Sequence, residues 1–128
     1  MISGQRGPGP NAMRVLVCGG RNYVDRAELY AEFDRLHAEY AFTMVIAGGT
    51  GGVDALALEW ARERGIATQA FRAEWGTFGR IGKAGPLRNA RILAESRPDI
   101  VVAFSGGRET ANMVKQAKAA GVWVVTVD

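Results

Sequence analysis

The sequence predicts a doubly wound α/β domain, a three-layer sandwich with five parallel strands between two layers of helices. Three observations carry that expectation. Short apolar runs recur five times along the chain, four of them rich in Val and Ile. They are near-continuously apolar rather than alternating, which implies strands covered on both faces. Segments with helical spacing separate them, which implies parallel strands joined by crossovers. Right-handed crossovers leave few topologies, and the strand order 3-2-1-4-5 is the expected one.

The elements follow in order. "RVLVC" (14–18) reads as the first strand. Asp25 and Glu28 have the spacing of a capping-box start. Leu29, Phe33, Leu36 and Tyr40 then fall on one helical face. "TMVIA" (43–47) is the second strand, and Val53, Leu56, Ala57, Trp60 and Ala61 form the next helical stripe, with Gly65 as its C′ stop. "IATQAF" (66–71) is a weaker third strand. Residues 72–85 show no period and are long for a connection, as lids and binding loops often are. Pro86 fits the first position of a helix running through "PLRNARILAES". "DIVVAF" (99–104) is the fourth strand, Glu109–Ala120 a helix ending at Gly121, and "VWVVTV" (122–127) the fifth strand.

The chain's 128 residues suffice for one core, so residues 13–128 are expected to form a single domain. "MISGQRGPGPNA" (1–12) reads as a disordered tail and lacks the apolar stretch of a secretory signal. The one cysteine, Cys18, excludes an internal disulfide framework, and a reducing cytoplasm is the expected compartment. Residues 13–128 carry fifteen basic and thirteen acidic side chains. A balance of +2 does not by itself argue for nucleic acid, although it suits a small anionic ligand. No apolar run reaches membrane-spanning length. Metal-ligand spacing is absent and no cofactor is expected.

A Gly-Gly pair follows three of the strands: "CGGR" (18–21), "AGGT" (47–50) and "SGGR" (105–108). In a parallel sheet all three lie at one carboxyl edge, near helix N-termini, where free N–H groups and a partial positive charge form an anion site. In the expected order the first and third pairs face each other at the topological switch point. Arg21 and Arg108 could add bidentate contacts. A single pair reads best as turn geometry, whereas three at one edge favour a ligand crevice. The first turn is not G-x-G-x-x-G, and "GTFGRIGKA" departs from a P-loop in glycine spacing and in placing Ala84 where Ser or Thr is needed. An ordinary dinucleotide site and an ATPase are thereby disfavoured.

On "RVLVCGGRNY", "VIAGGTGGVDALALEWA", "AGPLRNARIL" and "VVAFSGGRETANMV", the chain resembles the SLOG superfamily, the DprA/SMF and LOG-like Rossmannoids, and in particular its small YspA/YpsA-related branch. The resemblance spans residues 13–127. It implies a Rossmann-like domain that binds a nucleotide or nucleotide-derived ligand. The binding positions it implies are Gly19, Gly20 and Arg21; Gly48, Gly49 and Asp54; Arg88 and Asn89; and Gly106, Gly107 and Thr110, which Arg108 joins on chemical grounds. The sequence departs from relatives at Ala47, where His is common, at Thr50-Gly51, which replaces Ala-Arg, and at Glu109, which is usually Gly. LOG enzymes, which cleave the N-glycosidic bond of nucleoside monophosphates, end a similar motif in Glu, and Met113 stands there. Met113 offers no acid or base.

Single residues carry two readings each. Asp54 could hold a ribose hydroxyl or simply suit a helix N-terminus. Arg88, a cation in a helix's first turn, is explained by a nearby anion. Trp75, Phe78, Arg80 and Lys83 could cover a ligand but more readily pack their own loop. Cys18 reads as a buried filler, and His37 as a structural residue. Trp60 or exposed helix faces are candidate contacts in a homo-oligomer. The leading expectation is therefore a binding module for a nucleotide-derived small molecule. The alternatives are a LOG-like hydrolase acting on a nucleoside phosphate or NAD, and DprA-like binding of single-stranded DNA. The mild charge and the lack of an aromatic-basic platform argue against the last.

Overall fold

The computed structural model describes residues 13–48, 51–71 and 84–127. The expected tail, Gly49 and Thr50, and the long connection with Trp75, Phe78, Arg80 and Lys83 lie outside the described residues. Five strands, β1 (Met13–Cys18), β2 (Phe42–Ala47), β3 (Ala67–Ala70), β4 (Ile100–Phe104) and β5 (Trp123–Val127), alternate with helices α1 (Arg26–Tyr40), α2 (Val53–Glu63), α3 (Ala84–Ser96) and α4 (Arg108–Ala119). Their sheet order is β3-β2-β1-β4-β5, and every pairing is parallel. This is the doubly wound, Rossmann-like order expected from the sequence. Val15, Leu16, Val17 and Cys18 on β1 stand opposite Ile100, Val101, Val102 and Ala103 on β4.

Successive side chains of a strand point to opposite faces, and the core divides accordingly. Val15, Val17, Val45, Val102 and Phe104 pack with Leu29 and Phe33 of α1 and Val53, Ala57 and Trp60 of α2. Leu16, Ile46 and Val101 meet Ile92 of α3 and Met113 and Ala117 of α4 on the other side. Phe33 anchors the larger layer, with ring centroids 5.0 Å from Trp60 and 5.9 Å from both Phe42 and Phe104. Trp60 is 0% exposed, so the expectation that it joins subunits is corrected. The helical stripe on which it falls faces the sheet, and its indole N–H donates to Asp34 Oδ1 at 2.9 Å.

Helix ends are set locally. Asp25 caps α1 by accepting from the Glu28 N–H at 3.0 Å. The Glu28 carboxylate accepts from the Tyr23 hydroxyl rather than returning to the cap. α3 begins at Ala84, two residues ahead of Pro86. A proline there still costs nothing, because first-turn N–H groups have no intrahelical acceptor. His37 Nδ1 accepts from the Phe42 N–H at 2.9 Å, which bonds the last turn of α1 to the start of β2 and gives this histidine a structural task.

Candidate ligand-binding site

The chain builds outward from β1 to β3 and then returns to β4, so the β1/β4 boundary is the switch point of the sheet. The three glycine turns meet there. Gly20 N–H donates to Ser105 O at 2.9 Å, which ties the turn after β1 to the turn after β4. Gly20 O accepts from the Val53 N–H at 3.2 Å, which ties it to the start of α2 as well. The turn after β1 is thus bonded to both of the others.

Two glycines are required by this interlock. A Cβ on Gly52 would collide with Gly20 O and stand 2.5 Å from Arg21 O, and its φ of +58° is one that side chains avoid. A Cβ on Gly106 would collide with Thr110 Oγ1 and lie 2.7 Å from Gly20 N. Gly48 and Gly107 differ. A Cβ on Gly48 would stand 2.9 Å from Arg88 Nη2 and 3.1 Å from Asp54 Oδ2, so its bareness makes room for two charged side chains. A Cβ on Gly107 would meet nothing within 4 Å.

A cavity of about 230 Å³ opens at this edge. Gly19, Gly20, Arg21, Gly48 and Asp54 line it from β1, β2 and the start of α2, Arg88 and Asn89 from α3, and Gly107, Arg108 and Thr110 from α4. Gly106 is not among the lining residues. The remaining wall is formed by Leu16, Val17, Cys18, Ile92, Glu109 and Met113. The apolar members were legible only as core positions, because period alone does not tell which buried side chain ends at a cavity.

Polar groups in the wall have unequal freedom. Asn89 is 5% exposed, and its amide donates to Glu109 O at 3.0 Å and to Asn112 Oδ1 at 3.1 Å. Both its protons therefore bind α3 to α4. Gln116 extends that clamp, donating to Asn112 Oδ1 at 2.7 Å and to Pro86 O at 3.0 Å. Asp54 is 6% exposed, and with burial it pushes the Cys18 thiol up to about 12, burial being the larger cause. Cys18 at the cavity wall is thus a protonated thiol and no nucleophile at neutral pH.

Arg88 is the exception. Its Nε is sealed from solvent and has no hydrogen-bond partner among the described residues. A buried, unmet donor costs roughly 1–3 kcal/mol, so native chains retain few. Across the cavity, α4 begins at Gly107 with no side-chain cap, leaving its first N–H groups without intrahelical acceptors. Unmet guanidinium and amide donors around one small space form an arrangement suited to an oxyanion. Among the described residues no group of three or more His, Cys, Asp or Glu could hold a metal ion. No described helix is long and apolar enough to cross a membrane.

Comparison with known proteins agrees with this architecture. The Gene 61 protein of Mycobacterium phage D29 is 34% identical over 120 residues, covering 88% of this chain and 94% of that protein. DNA processing protein A (DprA) of Streptococcus pneumoniae superposes with a TM-score of 0.70 over 91% of this chain at 17% identity. This chain spans 50% of that one, and the likeness is one of fold. The family model YAcAr, described as the YspA, cpYpsA-related SLOG family, matches residues 13–78. With that match and the phage relative, the chain belongs to the YspA, cpYpsA-related SLOG family.

Proposed function

We propose that the chain is a binding module whose cavity at the β1/β4 edge takes a nucleotide or nucleotide-derived ligand. The carrying observation is Arg88 in the wall of that cavity, its sealed Nε without a hydrogen-bond partner among the described residues. An anionic group of the ligand answers it, together with the uncapped start of α4. Arg21 and Arg108, both exposed at the lining, supply further cationic contacts, and Asp54 accepts from a ligand hydroxyl.

Calorimetric titration with nucleoside monophosphates, ADP-ribose and NAD tests this. Saturable binding of at least one is expected, weakened about tenfold or more by Arg88→Lys, which keeps the charge but removes the planar fork. Absence of heat with every one of these ligands would sink the proposal.

Hydrolysis of an N-glycosidic bond is the second reading, favoured by two carboxylates, Asp54 and Glu109, in the same wall. Against it, Met113 is 2% exposed and occupies the place where a LOG-like motif carries its glutamate. Incubation with nucleoside monophosphates and NAD followed by chromatography separates the readings, and intact substrate after prolonged incubation is expected.

A further inference from the structure

Given the ligand-binding reading above, the charges in the cavity wall bear on what the cavity selects. Among the described residues its wall carries three cations, Arg21, Arg88 and Arg108, and two carboxylates, Asp54 and Glu109. Glu109 lies in the first turn of α4, and its main-chain carbonyl accepts from the Asn89 amide at 3.0 Å, so this turn is held against α3. A carboxylate there already answers part of the positive potential of the helix start. It also sets a like charge beside any second anionic group entering the space.

One phosphate, carrying about −1.5 to −2 at neutral pH, matches the Arg88 fork and the uncapped α4 amides. A second adds comparable charge to a wall whose three cations and two carboxylates sum to only +1 among the described residues. At about 230 Å³ the cavity is also small, below the roughly 300–1,000 Å³ of most ligand pockets. We propose that Glu109 is a specificity-determining residue that restricts the cavity to ligands with a single phosphate, excluding nucleoside di- and triphosphates.

The experiment is calorimetry with ribose 5-phosphate, AMP, ADP and ATP on the full chain and on Glu109→Gln, with circular dichroism verifying that both are folded. The native chain is expected to bind a monophosphate at least tenfold more tightly than ADP or ATP. Glu109→Gln is expected to narrow that ratio about tenfold. ADP or ATP binding the native chain as tightly as AMP overturns this inference and leaves the ligand-binding reading standing. An unchanged ratio in Glu109→Gln does the same. Failure of all four probes on both proteins overturns the inference, and titration with ADP-ribose and NAD then decides the reading on which it rests.

Discussion

The Arg88 guanidinium lies so close to the backbone of Gly48 that a Cβ there would stand 2.9 Å from its Nη2, and the same Cβ would be 3.1 Å from Asp54 Oδ2. Gly48→Ala therefore displaces both charged groups. The cost in stability is expected to be about 1 kcal/mol, since flexible side chains can yield. The cost in ligand affinity is expected to be about tenfold, because reach and alignment of the fork are lost. Urea denaturation beside calorimetric titration reads the two separately.

Two of the turn glycines should behave in opposite ways. Gly52→Ala forces a side chain into a left-handed backbone and against Gly20 O, so a loss of at least ~2 kcal/mol is expected. Gly107→Ala meets nothing within 4 Å and should stay within about 0.5 kcal/mol of the native chain. Equal losses in thermal denaturation would contradict the division of the glycines between interlock and open cavity.

Acid should uncouple α1 from α2. Arg64 grips Asp34 with two hydrogen bonds of 3.0 Å, and this, followed by the Trp60 N–H, holds the Asp34 carboxyl below its usual range. A depressed carboxyl contributes stability above its unfolded pKa, near ~3.9, and loses that contribution as pH falls through its folded value. Half of the Asp34 side chain is exposed, so screening keeps the effect to about 0.5–1 kcal/mol. Asp34→Asn should be less stable than the native chain by that amount at pH 7, with the gap closing towards pH 2–3 in denaturant titrations.

Cys18 should be inert in the folded state. Its thiol is pushed up to about 12 by burial and by Asp54, so almost no thiolate exists at pH 8. Maleimide or disulfide-exchange reagents should label it at least ~100-fold more slowly in the native chain than in denaturant. The sign also sets a pH limit. A thiol whose folded pKa is raised favours the fold below its unfolded pKa, near 9, and this stability fades as pH climbs towards about 12. Rapid native labelling at pH 8 would contradict this placement of Cys18.

The architecture was legible because Val/Ile runs and helical stripes are local signals, and in a parallel sheet they leave little choice of order. Boundaries moved only slightly, as at α3, where the first turn absorbs Pro86 at its third residue. The site was legible in outline through its repeated turns, but not in the division of labour among them. Whether a bare Cα serves a ligand or a neighbouring peptide depends on separations such as that of Gly106 from Gly20 N, and no spacing along a chain reports these. Trp60 was misjudged for a related reason. Its stripe marks it as inward-facing, but the acceptor that lets an indole sink fully is Asp34, on another helix. Asn89, expected with Arg88 as a ligand contact, lines the cavity while its amide protons bond α4, an arrangement visible only once the two helices are side by side.

The bond from Gly20 to Ser105 and the bond from Val53 to Gly20 have a consequence for how a guest is received. They hold the floor at the ends of the two central strands, where loosening the turns means fraying the middle of the sheet. Such a floor does not remould itself around what arrives. On the proposed ligand-binding reading, little ordering entropy in these bonds would remain to be lost on capture, which would favour a well-matched molecule over a poorly matched one.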